Sequence, residues 1–312
     1  MKFHIIMAMY NNESNIADCI HSMQAQTHFN FRCIVIDDLS DDRSVAVAHK
    51  TIDGDDRFTL IINSTKKHKT RNVFEGIDAA GAAPEDVIVM VDGDDRLGHS
   101  RVLETVADTY RNTDCWMTYG SYSDRHGDRD PICREYEQFV IDTNCFRHVK
   151  WRASHLKTFK YHLWRSVHWL EFRITDAEIH RARTRALLRG RMRTWFHWRG
   201  IRSADLNDVS GRYMRRCDDK AFSYPMLEMS GHKAVLIEDV LYVYGSQPST
   251  AESAEPVYGN GKSEKWHTRL IRDVIVNRPA YPRRSDPLPE KTMLSKAPWL
   301  RRNPSSRGLD AV

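Results

Sequence analysis

Residues 87–95 read VIVMVDGDD, five apolar residues that run into three carboxylates, and the reading of this stretch decides the fold. Upstream, FHIIMAM (3–9), FRCIVID (31–37) and FTLIIN (58–63) are runs of the same kind. They are rich in Val, Ile and Phe and nearly continuous in hydrophobicity, as strands buried on both faces of a parallel sheet must be. The segments between them are long enough for crossover helices. Residues 12–26 place Ile16, Cys19, Ile20 and Met23 at helical spacing, and residues 71–80 do the same with Val73, Phe74 and Ile77. The order βαβαβαβ predicts a doubly wound α/β domain with right-handed crossovers. Such sheets bind ligands beyond the carboxyl ends of their strands. The candidates for chemistry are therefore Tyr10 to Glu13, Asp37 with Asp38, and Asp92 to Asp95.

The chain has 312 residues, 41% hydrophobic and 29% charged. That composition suits a globular protein with a sizeable core and excludes a collagen, a disulfide miniprotein and wholesale disorder. Its six cysteines form no CxxC pair and no zinc-spaced cluster, and they read as reduced thiols in a cytosolic protein. The opening MKFHIIMAMYNNE makes a poor signal peptide and a good first strand. No run of eighteen apolar residues is present to span a bilayer.

The net charge of +5 conceals a division. Residues 1–146 carry 15 basic and 25 acidic side chains, 147–202 carry 15 and 3, 203–277 carry 9 and 11, and 278–312 carry 8 and 3. These boundaries predict an acidic α/β half (1–146), a basic, aromatic-rich insertion (147–202), a second half (203–277) and a Pro- and Arg-rich irregular tail (278–312). In the second half, VLIEDVLYVYG (235–245) reads as two short strands or one bent strand.

Three carboxylates at the exit of a buried strand, with a Gly that lets the chain turn, are hard oxygen ligands. They suit Mg²⁺ or Mn²⁺, which in turn holds a diphosphate. Taken alone the motif is equally an Asp/Gly turn, and Asp37-Asp38 alone reads better as a turn and helix cap. The alternating pattern, however, brings both motifs to one edge of one sheet, where independent turns have no reason to gather acids.

Here the sequence becomes specific. AMYNNESNIADCIHSMQAQTHFNFRCIVIDDLSDD (8–42) resembles the opening of family 2 glycosyltransferases with the GT-A fold. TRNVFEGIDAAG (70–81) is similar to the Arg-Asn-x-gap-Gly helix of that family, and VDGDD to its DxD motif. CDDKAFSYPMLEMSG (217–231), EDVLYVYG (238–245) and WRASHLKTFKYHLW (151–164) resemble a subgroup with a Pro-Met-Leu-Glu-Met-x-Gly motif. The resemblance implies that Asp92 and Asp94, with Asp95 as an extra ligand, hold the metal and the donor diphosphate. It places Asp38, and less surely Asp37, at the nucleobase, Tyr10 and Glu13 along the nucleoside pocket, and Arg71 near base or phosphates. Asp219 matches the general base of inverting members, with Asp218 beside it, although both could simply cap a helix. The reaction implied is transfer of a sugar from a nucleotide-sugar, chiefly a UDP-sugar, to a hydroxyl of a surface glycan or lipid-linked saccharide. Two departures stand out: Ala8-Met9 replaces the usual Pro before the Tyr-Asn turn, and residues from about 166 to 198 look inserted.

That insert holds HRARTRALLRGRMRTWFHWRG (180–200), in which Arg181, Arg185, Arg189 and Arg193 stand beside Trp195 and Trp198. The combination fits a phosphate-rich surface, or a solvated Arg-faced helix. It leaves open an enzyme that glycosylates hydroxymethylated bases in DNA, and a protein peripheral to an anionic membrane face. A non-enzymatic nucleic-acid module leaves the acidic strand ends unexplained, and a sugar nucleotidyltransferase lacks its Gly-rich loop. A late His, with His232 and His267 as positional guesses, is a candidate third metal ligand. Met226, Leu227 and Met229 read as packing.

Overall fold

A computed structural model describes residues 1–128, 132–216, 218–245 and 264–285. The strands are β1 (Phe3–Met9), β2 (Phe31–Asp37), β3 (Phe58–Ile62), β4 (Val87–Asp92), β5 (Arg96–Leu97), β6 (Met117–Ser123), β7 (Lys157–Lys160) and β8 (Ala234–Val243). They form one sheet in the order β3-β2-β1-β4-β7-β6-β8-β5. The first four are parallel, β7 runs antiparallel between β4 and β6, and β8 is again parallel to β6. The fold is thus the mixed, mostly parallel α/β architecture anticipated from the hydrophobic runs.

Alternation along the strands explains the layers. Ile5, Met7, Val35, Val89 and Val91 face one core, which is closed by Ile16, Cys19, Ile20 and Met23 of α1 (Ile16–Gln24). Ile6, Ile36, Ile88 and Met90 face the other, closed in part by Val73 and Ile77 of α3 (His68–Ala79). In the chain α2 (Ser44–Ile52) comes between these helices and packs on the α1 side, and α4 (Val102–Asn112) follows β5. The register pairs Met9 with Asp37 and Ala8 with Asp92, so the exits of β1, β2 and β4 line up at one edge.

The stretch read as two short strands or one bent strand forms one bent strand, β8, which ends at Val243. The β6–β8 ladder slips twice, pairing Gly120 with Ile237, Ser121 with Val240 and Tyr122 with Tyr242. Such bulges bend a strand and re-aim its side chains. Here the bend carries Tyr242 and Tyr244 to the acidic edge.

The remaining helices are α5 (Gln138–Thr143), α6 (Tyr161–Trp164), α7 (Asp176–Leu188), α8 (Met192–Trp198), α9 (Ser203–Leu206), α10 (Asp218–Ser230) and α11 (Glu264–Val276). Thr175 and Glu178 close a capping box at the start of α7. Two expected boundaries sit differently in the structure. Residues 147–202 do not form one separate block, because β7 lies in the middle of the sheet; a helical block, α7 to α9, follows it from residue 176. The tail does not start at 278, since Arg278 and Tyr281 are buried and the Tyr281 amide donates to Glu228 Oε2 at 3.0 Å. Two specific anchors outweigh what the local Pro and Arg content suggests, and the rest of the tail, beyond residue 285, lies outside the described residues. Among the described residues the five cysteines form no disulfide, four of them are buried, and no helix is long and apolar enough to cross a membrane.

A buried charge cluster ties the helical block to the sheet domain. Arg147 donates to both oxygens of Glu228 (2.6 and 2.9 Å), to Glu171 (3.0 Å) and to the Ile275 carbonyl (2.9 Å). Arg278 meets Glu178 (2.9 Å) and the carbonyls of Glu171 and Arg173. Met226, Leu227 and Met229 pack into the adjoining core as anticipated.

Candidate active site

Each strand exit contributes differently. Beyond β4, the oxygens of Asp92, Asp94 and Asp95 lie within 4.8 Å of one another. The turn is crowded by main chain: a Cβ at Gly93 would fall 2.7 Å from Met9 Cβ, and one at Gly245 would collide with the Asp94 carbonyl. Glycine is required at both positions for the strands to approach this closely. The Gly245 amide donates to Asp95 Oδ1 at 2.7 Å, and the Asp92 amide donates to the Tyr242 hydroxyl at 3.0 Å. The end of β8 is thereby fixed against the acidic turn.

Crowding sets the protonation of these acids. Burial, then the charges of Asp92 and Asp94, push Asp95 up to about 8, and burial and Asp92 raise Asp94. Burial would raise Asp92 too, yet Lys69, whose ammonium lies 2.8 Å from Asp92 Oδ2, pulls it below its ordinary value. A divalent cation fits this donor set: three hard oxygens converge, and the excess negative charge is what a cation relieves.

Asp219, one residue into α10, reaches the same place. Its carboxylate pairs with the Lys157 ammonium of β7 and lies 3.8 Å from His155 Nε2. Burial works against ionisation there, but the ammonium groups of Lys157 and Lys69 outweigh it and hold Asp219 far below the usual carboxylate range. His155 stacks on Tyr242 at 4.7 Å, and burial and Lys157 hold its imidazole down to about 3, so it is neutral. Asp219 is 43% exposed at the side chain, open to an incoming hydroxyl. Among the described residues its carboxylate meets Lys157 and no helix amide. Asp218 starts α10, and its side chain lies outside what is described.

The residues expected around the nucleoside are committed more locally. Asp38 accepts from the main-chain amides of Lys67 (2.7 Å) and His68 (3.0 Å), ordering the turn into α3, and Lys66 lies 3.7 Å away. Asp37 accepts from the Ser40 amide at 3.1 Å, while its other oxygen is buried with no hydrogen-bond partner. Glu13 binds Arg43 at the start of α2. Arg71 pairs with Glu75 and Asp208, not with the acidic turn, because it faces the 208–213 loop; Lys69, two residues earlier, is the α3 cation that reaches it. The Tyr10 ring lies under the Lys66 ammonium, an aromatic floor beside Asp38.

The positional guesses for a third metal ligand are corrected. His232 sits at the opposite end of β8, 3.7 Å from Asp142, and His267 belongs to the buried face of α11. His155 is the histidine beside the acids. Sequence reasoning also passed over Lys69, Lys157 and Tyr242. The only local signal was two polar residues, His155 and Lys157, within a run that enters the sheet.

The basic insert divides. Trp198 is buried in the core and Trp195 packs against it. Arg185 pairs with Asp273 of α11, and Arg183 donates to the carbonyls of Trp198 and Ile201. Arg181, Arg189 and Arg193 remain exposed.

The family model described as glycosyl transferase family 2 matches residues 4–164. An uncharacterized glycosyltransferase of Haemophilus influenzae is 31% identical over 119 residues, 38% of this chain and 46% of that relative. The crystal structure of S. aureus TarS aligns with a TM-score of 0.52 at 15% identity, over 80% of this chain and 37% of TarS. TarS 1-349 in complex with UDP-GlcNAc aligns with a TM-score of 0.50 at 14% identity, over 82% of this chain and 62% of that one. The chain thus spans less than half the length of the Haemophilus relative and of the longer TarS chain, and the structural likeness is one of fold.

Proposed function

The chain belongs to glycosyl transferase family 2, and from its site we propose that it transfers a sugar from a UDP-sugar to an acceptor hydroxyl with inversion. One observation carries the reading: Asp92, Asp94 and Asp95 converge at the strand exits, and Asp219, from a helix far along the chain, joins them through Lys157, Lys69 and His155. A complex of TarS 1-349 with UDP-GlcNAc on the same fold supports the choice of donor.

Asp92 and Asp94, with Asp95, would hold Mn²⁺ or Mg²⁺. When bound, such an ion neutralises charge developing on the departing diphosphate. The Tyr10 ring and Lys66 form the floor on which the base rests, with Asp38 ordering the loop that carries Lys66. Asp219 accepts the acceptor's hydroxyl proton as that oxygen bonds to the anomeric carbon and the bond to the diphosphate breaks. Lys157 keeps Asp219 ionised and in place. The same pairing weakens it as a base, so proton transfer requires Lys157 to yield. The acceptor that best fits the family resemblance is a surface glycan or lipid-linked saccharide. Glycosylation of DNA finds less support, because Trp198 is buried and Arg183 and Arg185 are tied to the protein.

Calorimetric titration of UDP-sugars with and without Mn²⁺ tests the donor half of the reading. Binding that tightens with the metal is expected; metal-indifferent binding, or none with any UDP-sugar, overturns it.

A further inference from the structure

We propose that the α7–α8 turn is a membrane-docking finger that inserts into an anionic lipid surface. Residues 187–193 are exposed without interruption: Leu187, Leu188, Arg189, Gly190, Arg191, Met192 and Arg193. Gly190, at φ +65°, lets the chain reverse there. Leu188 is 81% exposed, Phe196 63% and Met192 56%. Other large apolar residues on the surface, such as Phe29 and Val209, are scattered along the chain, whereas four fall within ten residues here.

The charges around this tip identify the partner. Among the described residues no carboxylate pairs with Arg181, Arg189, Arg191 or Arg193, although Arg185 on the inner face has found Asp273. An apolar tip ringed by unneutralised guanidiniums fits the headgroup boundary of an anionic bilayer, where apolar side chains enter the acyl edge and cations meet phosphates. Duplex DNA uses only half of this: it rewards the arginines, but Leu187, Leu188 and Met192 gain nothing from a phosphate backbone. The chain's own tail is a poor occupant, since residues 286–312 carry five Lys or Arg against three Asp or Glu. The inference stands independently of the proposed reaction.

Co-sedimentation of the full chain with vesicles tests it. One set is phosphatidylcholine alone; the other contains about a third phosphatidylglycerol. Binding to the anionic set, weakening with salt, is expected. The triple variant R189Q/R191Q/R193Q should bind roughly a hundredfold more weakly, at about fivefold per charge. The double variant L188S/F196S should lose vesicle binding while its melting temperature changes little, because Leu188 is 81% and Phe196 63% exposed. No binding of the native chain to anionic vesicles at low salt overturns the proposal. So does vesicle binding that survives both variants but vanishes when residues 286–312 are deleted. Binding of duplex DNA that L188S/F196S leaves intact, with vesicles ignored, gives the surface to nucleic acid instead.

Discussion

Two buried charge clusters lie in this molecule, and they are built to opposite ends. Around Arg147 and Arg278, each guanidinium is enclosed by carboxylates and main-chain carbonyls from several elements. Burial opposes the charge on Arg147, and Glu228 and Glu171 more than restore it. At the sheet edge the acids outnumber their partners: Asp92, Asp94, Asp95 and Asp219 share Lys69 and Lys157, and His155 is held neutral. Asp95 is driven up to about 8 as a result. The cluster that serves stability comes nearer to balance, two guanidiniums against Glu171, Glu178 and Glu228, with Glu171 Oε2 buried without a hydrogen-bond partner among the described residues. One that serves binding leaves an imbalance that a ligand removes.

The largest effect that separates the two is expected from Arg147→Ala. Removing one member of a fully buried network strands the others and should cost about 3–5 kcal/mol of stability. Urea unfolding, with the midpoint shifted and the slope unchanged, measures this. Turnover per folded molecule should stay near normal. A variant with native stability and lost turnover would move this cluster into the site and end the contrast. Asp94→Ala should do the reverse: transfer falls by about a thousandfold and metal-dependent donor binding disappears. The fold should be no less stable, since a crowded carboxylate has gone. A marked drop in the unfolding midpoint would show that the acidic turn holds the sheet together.

Much of this contrast was legible in the sequence, for definite reasons. Strands β1 and β4 are buried on both faces and β2 nearly so, so their hydrophobicity runs almost unbroken. Strand β3 reads the same way in sequence but is the edge strand, and only Phe58 in it is buried; a parallel sheet still brings all four exits to one edge. Asp92, Asp94 and Asp95 could therefore be placed from position alone. Lys157 could not, because it arrives on an antiparallel strand slipped between β4 and β6, and nothing local links it to Asp219 sixty-two residues later. The arginines of the insert look alike in sequence. Whether one meets a carbonyl, as Arg183 does, or water, as Arg189 does, depends on which face of α7 the block covers. Proline content near 279 likewise hid the two anchors, Arg278 and Tyr281.

Asp219→Asn tests whether the exposed acid acts in the chemical step. The amide keeps the shape and cannot accept a proton, so kcat should fall by at least about a hundredfold while donor affinity is retained. Near-normal transfer would return Asp219 to the role of a structural partner of Lys157.

The smallest expected effect is also the most discriminating, because Lys157 belongs to both descriptions: it is a buried ion-pair member and a neighbour of the proposed base. Lys157→Met keeps the length and the apolar stem but removes the ammonium. Were Lys157 a structural group like Arg147, the variant should be strongly destabilised. Asp219 is partly open, however, and water can replace the lost partner, so a stability change of about 1 kcal/mol or less is expected. Transfer should fall about tenfold through kcat, below the hundredfold that misplacing a reacting group can cost, with the donor KM little changed. Lys157→Arg should restore part of the rate by returning a positive partner to Asp219. A large loss of stability with kcat intact would assign Lys157 to the scaffold, and it would leave Asp219 without the residue that holds it ionised.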